Sequence, residues 1–378
     1  MAPPVGREVS ILYILLAILV LLFMVTVHEL GHYVSGKLLG FRINEFAIGM
    51  GPAIFSRTRK NGEKFSIRVL PLGGFCAFDG EDEEASDPAC FNNQKPWKRI
   101  IVLVSGAFMN FLVAMLIIIN VFLFAGMYFP KINMLLPDFS TTDQVTSPLQ
   151  AGDIILEING RDMYLSNDMS VALASVKEDE KFDITVVRNG EIITIKDVVK
   201  RAYSAYQVDA ETGEFVRDED GNYVLAHDDS GNLIESYGLG IYQGYESFKF
   251  GFFETLGRSF VYAFRMAGVI LSTLGQLITG GLGLKDIGGP ITTITMTAEI
   301  ARSGLRNFLD IVALIGVNLA VFNLLPIPAL DGSRVVFTVI EWIRGKPINR
   351  KVEAIINAVG LVLLLGFVIV ADIYQLII

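Results

Sequence analysis

Four stretches of the chain stay apolar for too long to be one face of a soluble helix. They run from Ile11 to about Gly40, from about Arg99 to Phe129, from about Phe308 to Leu325 and from about Val352 to Ile378. Each falls in or above the range of about 17–25 residues that an α-helix needs to cross a bilayer. Between the second and third stretches the period changes. Ile154-Ile155-Leu156-Glu157-Ile158, Asp183 to Val187 and Glu191 to Ile195 read as strands. Arg188-Asn189-Gly190-Glu191 is a tight-hairpin signal, and Ser170 to Val176 fits a short helix. Thr212-Gly213-Glu214-Phe215, Asp220-Gly221-Asn222-Tyr223 and Ser230-Gly231-Asn232-Leu233 repeat a turn followed by an apolar residue, which predicts a hairpin meander. Phe248 to Thr279 is apolar but broken by Glu254, Arg258 and Arg265, so it is expected to lie as an amphipathic helix on the outer leaflet.

The pattern therefore predicts a polytopic α-helical membrane protein with four transmembrane helices. Charge sets its orientation. The loop after the first span holds Arg42, Arg57, Arg59, Lys60, Lys64 and Arg68, and the loop after the third holds Arg334, Arg344, Lys346, Arg350 and Lys351. Short basic loops stay in the cytoplasm, so both termini lie outside. Asp138 to Glu235 is acidic and is assigned to the extracytoplasmic side. The expected divisions are 1–40, 41–98, 99–129, 130–202, 203–245, 246–305, 306–333 and 334–378. The chain has 378 residues, and only 19% are charged, below the roughly 25% of soluble domains. The net charge of -9 without a basic stripe excludes nucleic acid as a partner. Cys76 and Cys90 are too few for a disulfide framework and fall in a loop assigned to the reducing side. Met1 to Ser10 offers one Arg and no cleavage site, so Ile11 onward reads as a retained span.

Chemistry enters near the inner end of the first span. His28-Glu29-Leu30-Gly31-His32 places two of the chain's 3 His one helical turn apart, on one face. Ionisable groups at membrane depth are costly and mark function. The two rings can grip one metal ion, with Glu29 beside them to take a proton from water. Zinc in a hydrolase takes three protein ligands and leaves one position open. Asp331 can supply the third, because Pro326 and Pro328 break the third span and let the chain turn back. The plainer reading makes Asp331 a helix cap. His227 reads as a surface side chain, and the Asp-rich turns lack the spacing of an EF-hand calcium site.

These residues resemble those of the site-2 protease family of intramembrane zinc metalloproteases, and most closely the bacterial regulator-of-sigma-E protease group. His28 to His32 is similar to that family's HExxH. Asn323, Pro326, Pro328, Leu330, Asp331 and Gly332 match its NxxPxPxLDG. Leu70-Pro71-Leu72-Gly73-Gly74-Phe75 resembles its PLGG segment, Gly288 to Ile291 its GPI element, and Gly152-Asp153-Ile154 with Ile158-Asn159-Gly160 a PDZ core. Gly106 to Asn110 departs from the family's GPxxN by lacking the Pro, and Thr146 to Gln150 is a compressed approach to the PDZ core.

The resemblance implies Zn2+ on His28, His32 and Asp331, and Glu29 as catalytic base. It also implies a substrate-binding role for Asn323, whose amide alone would equally suit an oxyanion. A cytoplasmic membrane-associated β-hairpin layer and an extracytoplasmic PDZ-like α+β domain, able to take peptide ends, complete the expected fold. The expected location is the bacterial inner membrane, with the site toward the cytoplasm. Substrates are expected to be single-span membrane proteins, such as anti-sigma factors already trimmed, or remnant signal peptides. An edge strand near Ser66 to Leu72 is expected to pair with the unwound substrate. A zinc transporter would need more than 3 His and 2 Cys along its path, and an inactive adaptor would not need Glu29.

Overall fold

The computed structural model describes residues 11–81, 87–136, 148–209, 215–228, 230–283 and 288–377. Within it the chain divides into two compact units. One is Phe122–Thr255; the other holds the remaining described residues on either side.

In the second unit, α1 runs over Ile11–Leu39. Gly40 ends it at φ 81. The Phe41 N–H returns to Gly36 O at 2.9 Å and that of Gly40 to Lys37 O at 3.3 Å, a glycine-terminated helix end that also seats Phe41 in the core. Phe41 packs there with Ile43, Phe78, Phe91, Val102 and Leu103. β1 (Ile43–Thr58) and β2 (Lys64–Phe78) follow as an antiparallel pair folded back on itself. Ala47 pairs with both Ser66 and Phe75, and Ser66 pairs with both Ala47 and Ser56. The fold therefore lays Phe65 to Ile67 between two neighbours and leaves Gly74 to Phe78 with one. Buried Glu63 ties the hairpin turn to α1 by accepting from Tyr33 Oη at 2.7 Å and pairing with Lys37.

α2 spans Pro96–Ala125. The expected span to Phe129 overruns it: Gly126, at φ 79, turns the chain into β3 (Met127–Leu135). Met127 and Phe129 are apolar because they are core strand residues, 2% and 0% exposed, and a buried strand continues a helical hydropathy run without a mark. The Ser170 to Val176 helix is α3, Asp168–Ser175. α4 covers Phe252–Ile278, α5 Pro290–Arg302, α6 Leu305–Leu324, α7 Asp331–Arg344 and α8 Arg350–Ile377.

Among the described residues, five helices are long and apolar enough to cross a membrane: α1, α2, α4, α6 and α8. The chain is a membrane protein of mixed helix and sheet. The fifth helix is α4, the least apolar of them and the segment expected on the membrane surface. Its Tyr262, Met266 and Ile270 pack with Phe111 and Ala114 of α2 and with Val317 and Val321 of α6. Those partners lie well inside their own helices. α4 therefore lays one face against α2 and α6.

Buried charge links the far ends of this unit. Glu341 of α7 accepts from Arg99 of α2 at 2.6 Å and pairs with Arg350 of α8 at 2.9 Å. Burial alone would raise the Glu341 pKa. The Ile348 N–H and the Arg99 guanidinium instead hold it below the ordinary carboxylate value.

In the first unit an antiparallel sheet has the order β10-β3-β4-β6-β7, where β4 is Ile154–Ile158, β6 Phe182–Arg188, β7 Glu191–Val198 and β10 Ile241–Phe248. A two-residue β5 (Arg161–Asp162) pairs with β4 across Asn159 and Gly160, both at positive φ. Asn189 and Gly190 join β6 to β7 at φ 53 and 85, the primed turn that Asn-Gly favours. Asp153, 1% exposed, locks the loop before β4 by pairing with Arg188 at 2.7 Å. β8 (Arg201–Ser204) and β9 (Glu235–Gly238) enclose the described part of the meander; Thr212 to Glu214 of its first repeat lie outside the described residues. Its bridges include Arg217 with Tyr223 and His227 with Leu233. Asp218 and Asp228 spend a carboxylate oxygen on backbone N–H groups of their own turns. His227 turns to its neighbour's carbonyl, Leu225 O.

Candidate active site

α1 brings His28 and His32 one above the other, with Nε2 atoms 3.1 Å apart. α6 ends at Leu324, and the Pro326–Pro328 break carries the chain to Asp331 at the start of α7. The Asp331 Oδ2 lies 3.0 Å from His28 Nε2 and 3.2 Å from His32 Nε2. His28 and His32 are buried and Asp331 nearly so. Among the described residues, Asp331 Oδ2 meets no other partner.

The donor set fits zinc. His32 Nδ1 lies 2.7 Å from Val102 O. A carbonyl can only accept, so Nδ1 carries the proton and Nε2 keeps its lone pair. Two ring nitrogens and a carboxylate oxygen thus converge on one point, where a single cation can meet all three. Two imidazoles, one carboxylate and an open side are the ligand types of a catalytic zinc site.

α2 makes this approach possible. A Cβ on Gly106 would stand 2.7 Å from His28 Cε1 and from His32 Cε1, and a Cβ on Gly31 would meet the Ser105 carbonyl. Gly31 lies inside the HExxH, whereas Gly106 escapes a search for chemistry. Its signal is the small-residue run Ser105-Gly106-Ala107 in an apolar span, the mark of close helix approach.

Glu29 stands in the same cavity, of about 330 Å³, with Phe75, Cys76, Phe91 and Arg334. The Cys76 N–H donates to its carboxylate. The strand beside the site is therefore Gly74 to Phe78, the singly paired part of β2. The edge expected at Ser66 to Leu72 holds only past Ile67: Ser66 is 0% exposed and Ser66 and Ile67 are paired on both sides, whereas Arg68 and Leu70 have one strand partner each. Alternation cannot tell an edge from an interior strand once a hairpin folds over itself. Arg334 pairs with Glu81 and lies 5.5 Å from the Phe91 ring centroid, closing another wall. The Asn323 amide reaches His28 Nδ1 at 3.4 Å. The structure thus brings all five sequence-derived residues, His28, Glu29, His32, Asn323 and Asp331, to one place.

The sequence profile of Peptidase family M50 matches residues 16–367. The chain belongs to this family. A Clostridium perfringens (strain 13 / Type A) protein, named as a candidate zinc metalloprotease, is 34% identical over 370 residues, covering 97% of this chain and 99% of its own length. A Clostridium acetobutylicum protein of similar name is 29% identical, over 96% of this chain and 97% of its own. The zinc metalloprotease RasP of Bacillus licheniformis is 27% identical, over 92% and 94%. As an M50 peptidase, the chain is an intramembrane zinc metalloendopeptidase of the site-2 protease type.

Proposed function

We propose that His28 Nε2, His32 Nε2 and an Asp331 carboxylate oxygen hold the catalytic zinc, and that Glu29 moves the protons. The observation that carries this is the convergence of the three donor atoms in the cavity that also holds Glu29. Zinc, when bound, supplies Lewis-acid polarisation and makes water acidic enough to deprotonate near neutral pH. Glu29 accepts that proton and returns it to the leaving amine. The Cys76 N–H fixes its carboxylate. Asn323 spends one end of its amide on His28 and keeps the other for the substrate backbone. The singly paired edge at Gly74 to Phe78, whose Cys76 and Phe78 N–H groups are held by Glu29 and Glu81, offers its remaining main-chain groups to an unwound substrate segment and lays the scissile bond beside Glu29.

The substrates in this reading are single-span membrane proteins, already trimmed by another protease, such as anti-sigma factors or remnant signal peptides. The enzyme sits in the bacterial inner membrane with its site toward the cytoplasm. The sheet unit acts as an extracytoplasmic PDZ-like domain that takes peptide ends. Four helices cross fully, and α4 enters the bilayer without changing the side on which the chain emerges. Support for this count comes from the contact of His28 with Asp331. It requires α1 and α6 to run in the same direction, so crossings between α2 and α6 must cancel. α5, with 13 residues, is too short to make the return alone. Cysteine probes at Asp220 and Ser303 should then react with an impermeant thiol reagent from outside, and probes at Lys60 and Lys346 should not. Protection at Ser303 would overturn the count.

The activity is tested with purified full-length protein and a single-span substrate in micelles. A zinc chelator should abolish cleavage, and added zinc should restore it. Cleavage that survives zinc removal would refute the assignment.

A further inference from the structure

The segment that presents Asp331 is held from outside itself. Ala329, two residues before it, has φ 77, a conformation that a residue with a Cβ rarely adopts. Its N–H donates to Asn357 Oδ1 of α8 at 3.2 Å. The same oxygen lies 3.3 Å from the hydroxyl of buried Ser333, which also reaches Leu330 O at 2.8 Å. One turn further along α8, Gly360 lies against Pro328. A Cβ there would collide with the proline Cβ and stand 3.1 Å from its Cα and carbonyl carbon. Pro328, Ala329 and Ser333 bracket Asp331, and one face of α8 touches all three.

The rest of α8 is lightly held. Most of its described side chains are exposed, and Ala371 and Asp372 are the buried ones among them. Asp372 accepts the Ile291 and Thr292 N–H groups at 3.1 Å, so the far end of α8 is fixed to the first turn of α5. The near end is fixed to the Asp331 segment through Asn357 and Gly360.

We propose that Asn357 and Gly360 are positioning residues that set Asp331 at the metal, so that the seating of α8 governs how well the third ligand engages. This rests on the assignment of Asp331 as a ligand. Partners that orient metal ligands are typically worth about 10- to 100-fold in metal affinity.

The test is zinc affinity of the full-length protein in micelles, read by chelator competition without substrate. Asn357→Ala and Gly360→Ala should each weaken zinc by about 10- to 100-fold. Gly366→Ala, on the same helix with nothing within 4 Å of its Cβ, should not. In an Asp331→Ala background, Asn357→Ala should add no further loss, because its effect passes through that carboxylate. Ala329→Gly, which takes a positive φ freely, should recover part of the Asn357→Ala loss. Wild-type affinity in both α8 variants, or losses that add to that of Asp331→Ala, would overturn the proposal. If Asp331→Ala itself keeps full affinity, the ligand assignment falls, and this inference with it. Should Asn357→Ala fail to fold, Gly360→Ala against Gly366→Ala decides alone.

Discussion

Gly106→Ala probes the site without touching a ligand or Glu29. The new methyl would stand 2.7 Å from Cε1 of both His28 and His32, whereas ordinary contact begins at 3.4 Å. The nearest atom is His32 Nε2 at 2.4 Å, so the His32 ring or the α2 backbone must retreat by about 1 Å to relieve the clash. His32 cannot swing away cheaply, because its Nδ1 is bonded to Val102 O one turn earlier on the same α2. A sound metal site holds its distances to within about 0.2 Å, so a shift of this size spoils the geometry. Misplacement near 1 Å at a reacting centre costs about 100-fold, equivalent to about 2.8 kcal/mol. Overpacking itself costs about 1–3 kcal/mol of stability, so the unfolding temperature is measured alongside. Zinc content by elemental analysis, zinc affinity by chelator competition and cleavage of a single-span substrate form the assay. The expected result is lost zinc affinity with kcat/KM down by at least about 100-fold. Full zinc occupancy with near-parental cleavage would refute the close packing of α2 on the two rings.

Glu29→Gln should keep zinc bound and lose about 10²- to 10⁴-fold in rate, and normal turnover would remove Glu29 from its role. Asn323→Ala should raise KM more than it lowers kcat if its free amide end binds substrate, and the opposite split would assign it to the transition state. Glu341 gives a pH prediction. Its folded pKa lies below the ordinary value, so its contribution is present above the unfolded pKa of about 4.3 and is lost as pH falls through the lower folded value. Glu341→Gln should therefore be less stable than the parent at pH 7, with the gap closing in acid; a gap that stays constant in thermal unfolding from pH 7 to 3.5 would contradict the pairing with Arg99 and Arg350.

The chemistry was the most legible part of the sequence. His28 and His32 share a helix face by spacing alone, and ionisable groups in an apolar run stand out. Asp331 could be joined to them because two prolines force a turn there. The strands of the sheet unit were legible from period and from Asn-Gly. What stayed hidden depends on which surfaces meet. Hydropathy does not distinguish Met127 and Phe129 in a buried strand from the end of α2. Period two does not reveal that β1 and β2 fold over one another and bury Ser66. The charges of α4 mark it as amphipathic but do not show that Met266 docks among Ala114 and Val317. Asn357 and Gly360 offer no chemistry of their own, so only the packing exposes them, and it is the packing that shows what Gly106 makes room for.

The cluster of Arg99, Glu341 and Arg350 bears on how the chain is made. Arg99 precedes its partner by 242 residues. A ribosome that has delivered α2 to the membrane has therefore left a guanidinium whose counter-charge is still unsynthesised. Arg99 sits in the first turn of α2, where a charge costs less than the roughly 2.5–3.5 kcal/mol of a span's centre. Until α7 and α8 arrive, Arg99 favours the aqueous boundary over the bundle interior. A truncated chain, or one whose last helices insert wrongly, keeps Arg99 without its counter-charge. Completion of the C-terminal segment thus supplies the counter-charge against which Arg99 is buried.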